Sequence, residues 1–198
     1  MNKQYGFYLD ADGCIGCNAC VMACKDKNNL SVGSLWRRIY ESEGGGFEEQ
    51  GHGLNANVYA FYITISCNHC GNPSCVLSCP EKALIKREED GLVILDSEIC
   101  TGCEACTLSC PYGALHFSKE TGKAGKCDGC LDLLAAGEAP ACVAACPMRV
   151  LDFGPLAQLR AKYPSANVYG KANVPMFGPD PKPSLYITCK SYKLTSPR

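Results

Sequence analysis

The chain has no long hydrophobic run. No stretch approaches the roughly 18 consecutive apolar residues of a spanning helix, and the opening MNKQYGFYLDADG has neither the apolar core of a secretory signal nor a twin-arginine pair. The reading therefore expects no export signal or membrane anchor on the chain itself. An excess of positive charge is also missing: 19 Lys and Arg stand against 20 Asp and Glu, for a net charge of −1 and a pI of about 6.3, which argues against a nucleic-acid partner. There is no G-x-G-x-x-G fingerprint, no P-loop, no nucleophile elbow and no histidine pair at metal spacing. These gaps remove dinucleotide, phosphate-loop and acyl-transfer chemistry, and leave no direct small-molecule substrate in view.

Cysteine is abundant instead, with 17 in 198 residues. A secreted disulfide scaffold would carry irregular spacings, and an odd count would leave one thiol over. Here sixteen fall into four groups of four. The first is Cys14, Cys17, Cys20, Cys24 and the third is Cys100, Cys103, Cys106, Cys110, both spaced C-x2-C-x2-C-x3-C. The second, Cys67, Cys70, Cys75, Cys79, widens the middle interval to four residues, and the fourth, Cys127, Cys130, Cys142, Cys146, widens it to eleven. Three groups end in Cys-Pro, at Pro80, Pro111 and Pro147, whereas Cys24 is followed by Lys25. In such runs three cysteines wrap one iron–sulfur cubane and the fourth reaches a second one. Zinc ribbons use two pairs of ligands and leave a fourth cysteine at x3 unexplained. Four [4Fe–4S] clusters are the cofactors expected.

The surroundings repeat as well. Leu9-Asp10 stands before Cys14 as Leu95-Asp96 stands before Cys100, and Pro80-Glu81-Lys82-Ala83-Leu84 echoes Pro147-Met148-Arg149-Val150-Leu151. The chain reads as a duplicated two-cluster ferredoxin. Strands are expected at Tyr5 to Leu9, Val58 to Ile65, Ala83 to Lys86 and Leu92 to Leu95, with Asp90-Gly91 turning the last two into a hairpin. PLAQLRAKY, 155 to 163, reads as an amphipathic helix stopped by Pro164, and the Pro- and Gly-rich stretch after it carries a short strand candidate at Leu185 to Thr188. Tandem pairing of the groups (first with second, third with fourth) and nested pairing (first with fourth, second with third) are both open. The 42 residues between Cys24 and Cys67, against 20 between Cys79 and Cys100, favour a compact central pair and hence nesting.

QYGFYLD (4 to 10), WRRIYE (36 to 41), ISCNHC (65 to 70), KCDGC (126 to 130) and LDFGP (151 to 155), with the four cysteine groups, resemble the iron–sulfur electron-transfer subunits of the dimethyl sulfoxide reductase family of molybdopterin oxidoreductases. The likeness runs from Gln4 to about Pro155. It implies an α+β fold of ferredoxin-like domains, one nested in the other: residues 1–55 with 119–163 outside and 56–118 inserted. The Pro-rich 164–198, with little core of its own, reads as an extended partner-docking tail. The resemblance also implies the ligand sets. Cys14, Cys17 and Cys20 would share a first cluster with Cys146, nearest a catalytic subunit. Cys24 would join Cys127, Cys130 and Cys142 in a second. Cys67, Cys70 and Cys75 would take Cys110 in a third, and Cys79 would complete a fourth with Cys100, Cys103 and Cys106, nearest a quinol. Some relatives lack the cysteine equivalent to Cys103 and hold a three-iron cluster; this chain has it.

The resemblance implies a large molybdenum or tungsten bis-pterin catalytic subunit and a membrane subunit oxidising menaquinol as partners. The chain itself would be a non-catalytic carrier, held on the cytoplasmic membrane through them, on a side the sequence does not fix. Dimethyl sulfoxide reductase is the first reading. The same role in polysulfide, thiosulfate, tetrathionate, selenate or nitrite reductases or formate dehydrogenases, or a freestanding polyferredoxin, are the alternatives. His69 reads as a packing or hydrogen-bonding histidine, His52 as solvated and His116 as a strand residue. Trp36, Arg37 and Arg38 read as a partner contact or as a strand with a solvated face, and Cys189 as a buried thiol outside the cluster pattern. With 20 glycines and 12 prolines the core is modest, so the chain stripped of clusters is expected to be largely unfolded.

Overall fold

The computed structural model describes residues 3–168 and 180–189. Strand β1 (Tyr5–Asp10) lies at its centre. Phe7, Tyr8 and Leu9 are all buried: Phe7 and Leu9 face the larger core, and Tyr8 on the opposite face stacks on Tyr163. It pairs antiparallel with β10 (Leu151–Pro155), Tyr5 opposite Pro155 and Leu9 opposite Leu151. On its other edge it pairs in parallel with β12 (Leu185–Thr188), and β11 (Asn167–Val168) closes that side.

The remaining strands form two-stranded ribbons: β2 (Arg38–Gly44) with β5 (Tyr59–Ile65), β3 (Phe47–Gln50) with β4 (Gly53–Ala56), β6 (Leu84–Lys86) with β7 (Val93–Leu95), and β8 (His116–Ser118) with β9 (Lys123–Gly125). The turn at Asp90-Gly91 is built from side chain and backbone together. The Asp90 carboxylate accepts from Leu92 N–H and Arg87 Nε, and Gly91 adopts φ +70°.

Helices are short. α1 (Ala19–Lys27) packs against α5 (Ala141–Ala144), and α2 (Ser74–Leu77) against α3 (Ala105–Ser109). The helix of the first cysteine group thus meets that of the fourth, and the second meets the third. Helix α4 (Leu131–Ala135) fills the long interval of the fourth group. Helix α6 (Leu156–Lys162) falls within the expected helix, anchored by Asp152, which accepts from Lys162 Nζ and Tyr163 Oη.

Two buried clusters hold the molecule together. The larger joins Phe7 and Leu9 to Phe61, Ile63, Val150 and Ile187. The smaller joins Leu84, Val93, Leu115 and Ala124. Cysteines are members of both, so the core and the cysteine groups are one structure.

Some expectations differ from what is found. Arg37 is not on a solvated face: it is 2% exposed, since the chain turns inward just before β2. The Gly-rich loop around His52 is the tip of the β3–β4 ribbon, and Phe47 and Leu54 on that ribbon are largely exposed. Residues 181 to 188 do not extend away from the body. Leu185 and Ile187 are buried beside β1, and Lys182 O and Pro181 O accept from Gly71 N–H and Asn72 N–H. Cys189 is half-buried against the larger core rather than fully buried. The rest of the predicted tail, 169–179 and 190–198, lies outside the described residues.

Candidate iron–sulfur centres

Each cysteine group begins with the same backbone device. The residue two after the first cysteine has positive φ in all four: Gly16 (67°), His69 (41°), Gly102 (74°) and Gly129 (77°). This left-handed residue reverses the chain so that two cysteines three apart face one side, with N–H groups turned toward sulfur. Gly129 N–H donates to Cys127 Sγ at 3.4 Å, and Gly16 N–H to Cys14. Glycine is needed at 102, where a Cβ would lie 2.0 Å from Gly122 O.

The fourth cysteines divide into two kinds. After Cys79, Cys110 and Cys146, proline is followed by a residue with positive φ, Lys82, Gly113 or Arg149, whose N–H returns to the cysteine carbonyl at 3.2, 3.1 and 3.2 Å. The helix stops there. Lys25 lets α1 run on past Cys24, and its Nζ reaches Leu30 O at 2.8 Å and Ser31 O at 2.6 Å to hold the loop that follows.

The fold then gathers the sixteen thiols into four quartets. Cys14, Cys17, Cys20 and Cys146 line one cavity, with Thr64 and Leu151 in its wall. Cys79, Cys100, Cys103 and Cys106 line another with Leu84 and Leu95. The thiols of Cys127, Cys142 and Cys130 act on Cys24, and those of Cys67, Cys110 and Cys75 on Cys70. The quartets also follow one another. Cys20 faces Cys142, Cys127 faces Cys67, and Cys75 shares the smaller core with Cys106.

Burial sets their chemistry. Desolvation, then neighbouring thiols, pushes Cys24 up to about 12; the same causes push Cys70 higher still. Cys75 rises to about 12 and Cys130 to about 11, burial again leading. Such sulfurs do not ionise unaided; bound iron would supply the positive charge that makes them thiolates. Among the described residues no three His, Cys, Asp or Glu side chains converge on one metal ion. Four thiols spread round a wider space fit a polynuclear cubane better than one tetrahedral ion with bonds of about 2.3 Å.

Exposure changes along the series. Cys17 in the first quartet and Cys103 in the fourth are exposed, whereas all four cysteines of the second are buried. Exposed Ile15, Met22 and Met148 stand near the first quartet, and Leu108 and Ile99 near the fourth.

Several residues beyond the cysteines enter the site. His69 is wholly buried, its Nδ1 accepts from Val93 N–H at 3.0 Å, and burial, with Lys126 and Lys86 nearby, holds its pKa well below the ordinary value. It is neutral and packed, as expected. Gln4 Nε2 and Ser184 Oγ donate to His69 O, and Ser184 N–H to Asn68 O, so two segments 180 residues apart clamp the second cysteine loop. Lys126 is buried and donates to Val93 O and Cys127 O. Arg37, Lys126 and Ser184 were not legible as site residues; the Lys-Cys pair at 126–127 was the only hint. His116 lies on β8 and His52 is exposed, and neither joins a quartet.

The class these features define is a ferredoxin-type iron–sulfur protein, and a 4Fe-4S dicluster domain matches residues 58–156 while a 4Fe-4S binding domain matches 11–28. The B subunit of the anaerobic dimethyl sulfoxide reductase of Escherichia coli (strain K12) is 47% identical over 163 residues, covering 82% of this chain and 79% of that protein. Its counterpart in Haemophilus influenzae is 46% identical, covering 81% and 78%, and the thiosulfate reductase electron transfer subunit of Salmonella typhi is 38% identical, covering 79% and 78%. The chain belongs to the family of iron–sulfur electron-transfer subunits of the dimethyl sulfoxide reductase family of molybdopterin oxidoreductases.

Proposed function

We propose that each quartet holds one [4Fe–4S] cluster and that the four form a wire through an outer ferredoxin-like domain (1–55 and 119–163) and an inserted one (56–118). The chain performs no chemistry on a substrate. It takes single electrons from a membrane subunit that oxidises quinol, at the Cys79, Cys100, Cys103 and Cys106 end. It delivers them at the Cys14, Cys17, Cys20 and Cys146 end to a molybdopterin catalytic subunit, in an anaerobic dimethyl sulfoxide reductase. Attachment to the membrane is through these partners; among the described residues no helix is long and apolar enough to cross a membrane.

The observation that carries this reading is the exposure pattern. A relay needs contact with solvent or partner at its two ends only, and the exposed cysteines, Cys17 and Cys103, belong to the terminal quartets, each beside exposed apolar side chains. The test is anaerobic purification of the chain from its native membranes, with identification of what accompanies it and assay of molybdenum and tungsten. The reading predicts a large pterin-containing subunit and a hydrophobic one, and activity toward dimethyl sulfoxide. A soluble, cluster-loaded chain arriving alone would replace it with a freestanding polyferredoxin.

A further inference from the structure

Arg37 is the residue just before β2, and its side chain points into the larger core. Its Nη1 donates to Thr64 Oγ1 at 3.2 Å and its Nη2 to Ser66 Oγ at 3.0 Å, and the guanidinium lies 4.5 Å from the centroid of the Phe7 ring. Its Nε has no hydrogen-bond partner. All of these neighbours are uncharged, and no carboxylate pairs with Arg37 in any ion pair among the described residues. A buried cation without a counter-ion is costly, and two hydroxyls, one ring and a neutral thiol, that of Cys142, do not offset it.

Sulfur is what stands on its other side. Arg37 is hydrogen-bonded to the side chain of Cys142, and the thiols of Cys127, Cys20 and Cys24 also act on its charge. Cys20 belongs to the first quartet and the other three to the second. Thr64 adds a direct link, since its Oγ1, which accepts from Arg37, also lies 3.3 Å from Cys20 Sγ.

We propose that Arg37 is the shared counter-cation of the first two clusters, a fixed charge that raises the reduction potential of both. The inference rests on the four-cluster reading. A cubane held by four thiolates is anionic and gains one more negative charge on reduction. A cation at fixed position in a low-dielectric interior therefore stabilises the reduced form more than the oxidised one. Placed between two clusters, it acts on both, and it acts less on the third and fourth, none of whose cysteines is among the thiols named for it. Arg37 is a positioning residue: it takes no electron itself.

The test is an equilibrium redox titration of the intact membrane complex, followed by electron paramagnetic resonance, comparing native protein with Arg37→Gln and Arg37→Lys. Arg37→Gln should lower the first two potentials by at least tenfold in the reduction equilibrium, 59 mV for a one-electron couple. Arg37→Lys should restore most of that shift. Unchanged potentials in Arg37→Gln, or an equal fall in all four, would overturn the proposal. If Arg37→Gln fails to load its clusters, native complex grown with 15N-arginine decides: nitrogen hyperfine coupling at the second cluster supports the assignment and its absence refutes it. Native complex without four clusters would overturn the reading beneath, and this with it.

Discussion

His69 occupies a position that the other three cysteine groups give to glycine. A side chain at φ 41° is strained by about 1 kcal/mol relative to glycine, so something must compensate. That is the Nδ1 acceptor for Val93 N–H, which ties the second cysteine loop to β7. Removing the ring leaves a buried N–H unmet, at about 1–3 kcal/mol. His69→Ala should therefore lower the denaturant midpoint of visible cluster absorbance, and His69→Gly should lower it by less, because glycine relieves the strain while losing the same bond. Equal midpoints for native and His69→Ala protein would show that the bond carries nothing. Single residues were also where sequence reasoning failed. Trp36-Arg37-Arg38 reads as a partner contact or a strand with a solvated face because the charge is plain and the inward turn before β2 is not. Arg37 is buried by contacts with Phe7, Thr64 and Ser66, all distant along the chain.

At the scale of elements, the short strands and α6 were legible because β-branched runs and one amphipathic stretch announce them. The β2–β5 and β3–β4 ribbons were less so, since the β3–β4 turn is a glycine-rich segment whose hairpin geometry depends on its whole length. The contrast between the cysteine groups was visible in sequence as Cys-Pro against Cys24-Lys25. Its meaning is structural: proline stops three helices at a left-handed turn, and lysine allows α1 a further stretch and then caps the loop beyond it. Lys126 joins elements in another way, donating from the start of the fourth group to Val93 O on β7 and to Cys127 O. Lys126→Met strands both carbonyls, at about 1–3 kcal/mol each. Its denaturant midpoint should fall below that of native complex, measured anaerobically; an unchanged midpoint would mean that water or a neighbour takes over both acceptors.

For the whole molecule, the cofactor class was written in the spacing, and 4Fe-4S domains match it. Which group lends its fourth cysteine to which was not written there. The intervals leaned toward nesting without excluding tandem pairing, and the full ligand sets came from family resemblance alone. The reason is that pairing depends on β1 meeting β10 across more than 140 residues, and on α1 meeting α5, contacts that no local pattern encodes. In the C-terminal region the strand expected at Leu185 to Thr188 is found, but its place in the central sheet was not legible, for the same reason. A Pro-rich segment looked coreless, yet Leu185 and Ile187 complete the sheet beside β1, and Ser184 fastens the second cysteine loop. The central claim is that sixteen cysteines in four quartets bind four cubanes. Iron, acid-labile sulfide and zinc, quantified on the anaerobically purified chain with the oxidation state of iron read by Mössbauer spectroscopy, test it most directly. The account predicts about sixteen iron and about sixteen sulfide per chain, no zinc, and spectra of cubane iron alone. A markedly lower iron count, or zinc in its place, would contradict it.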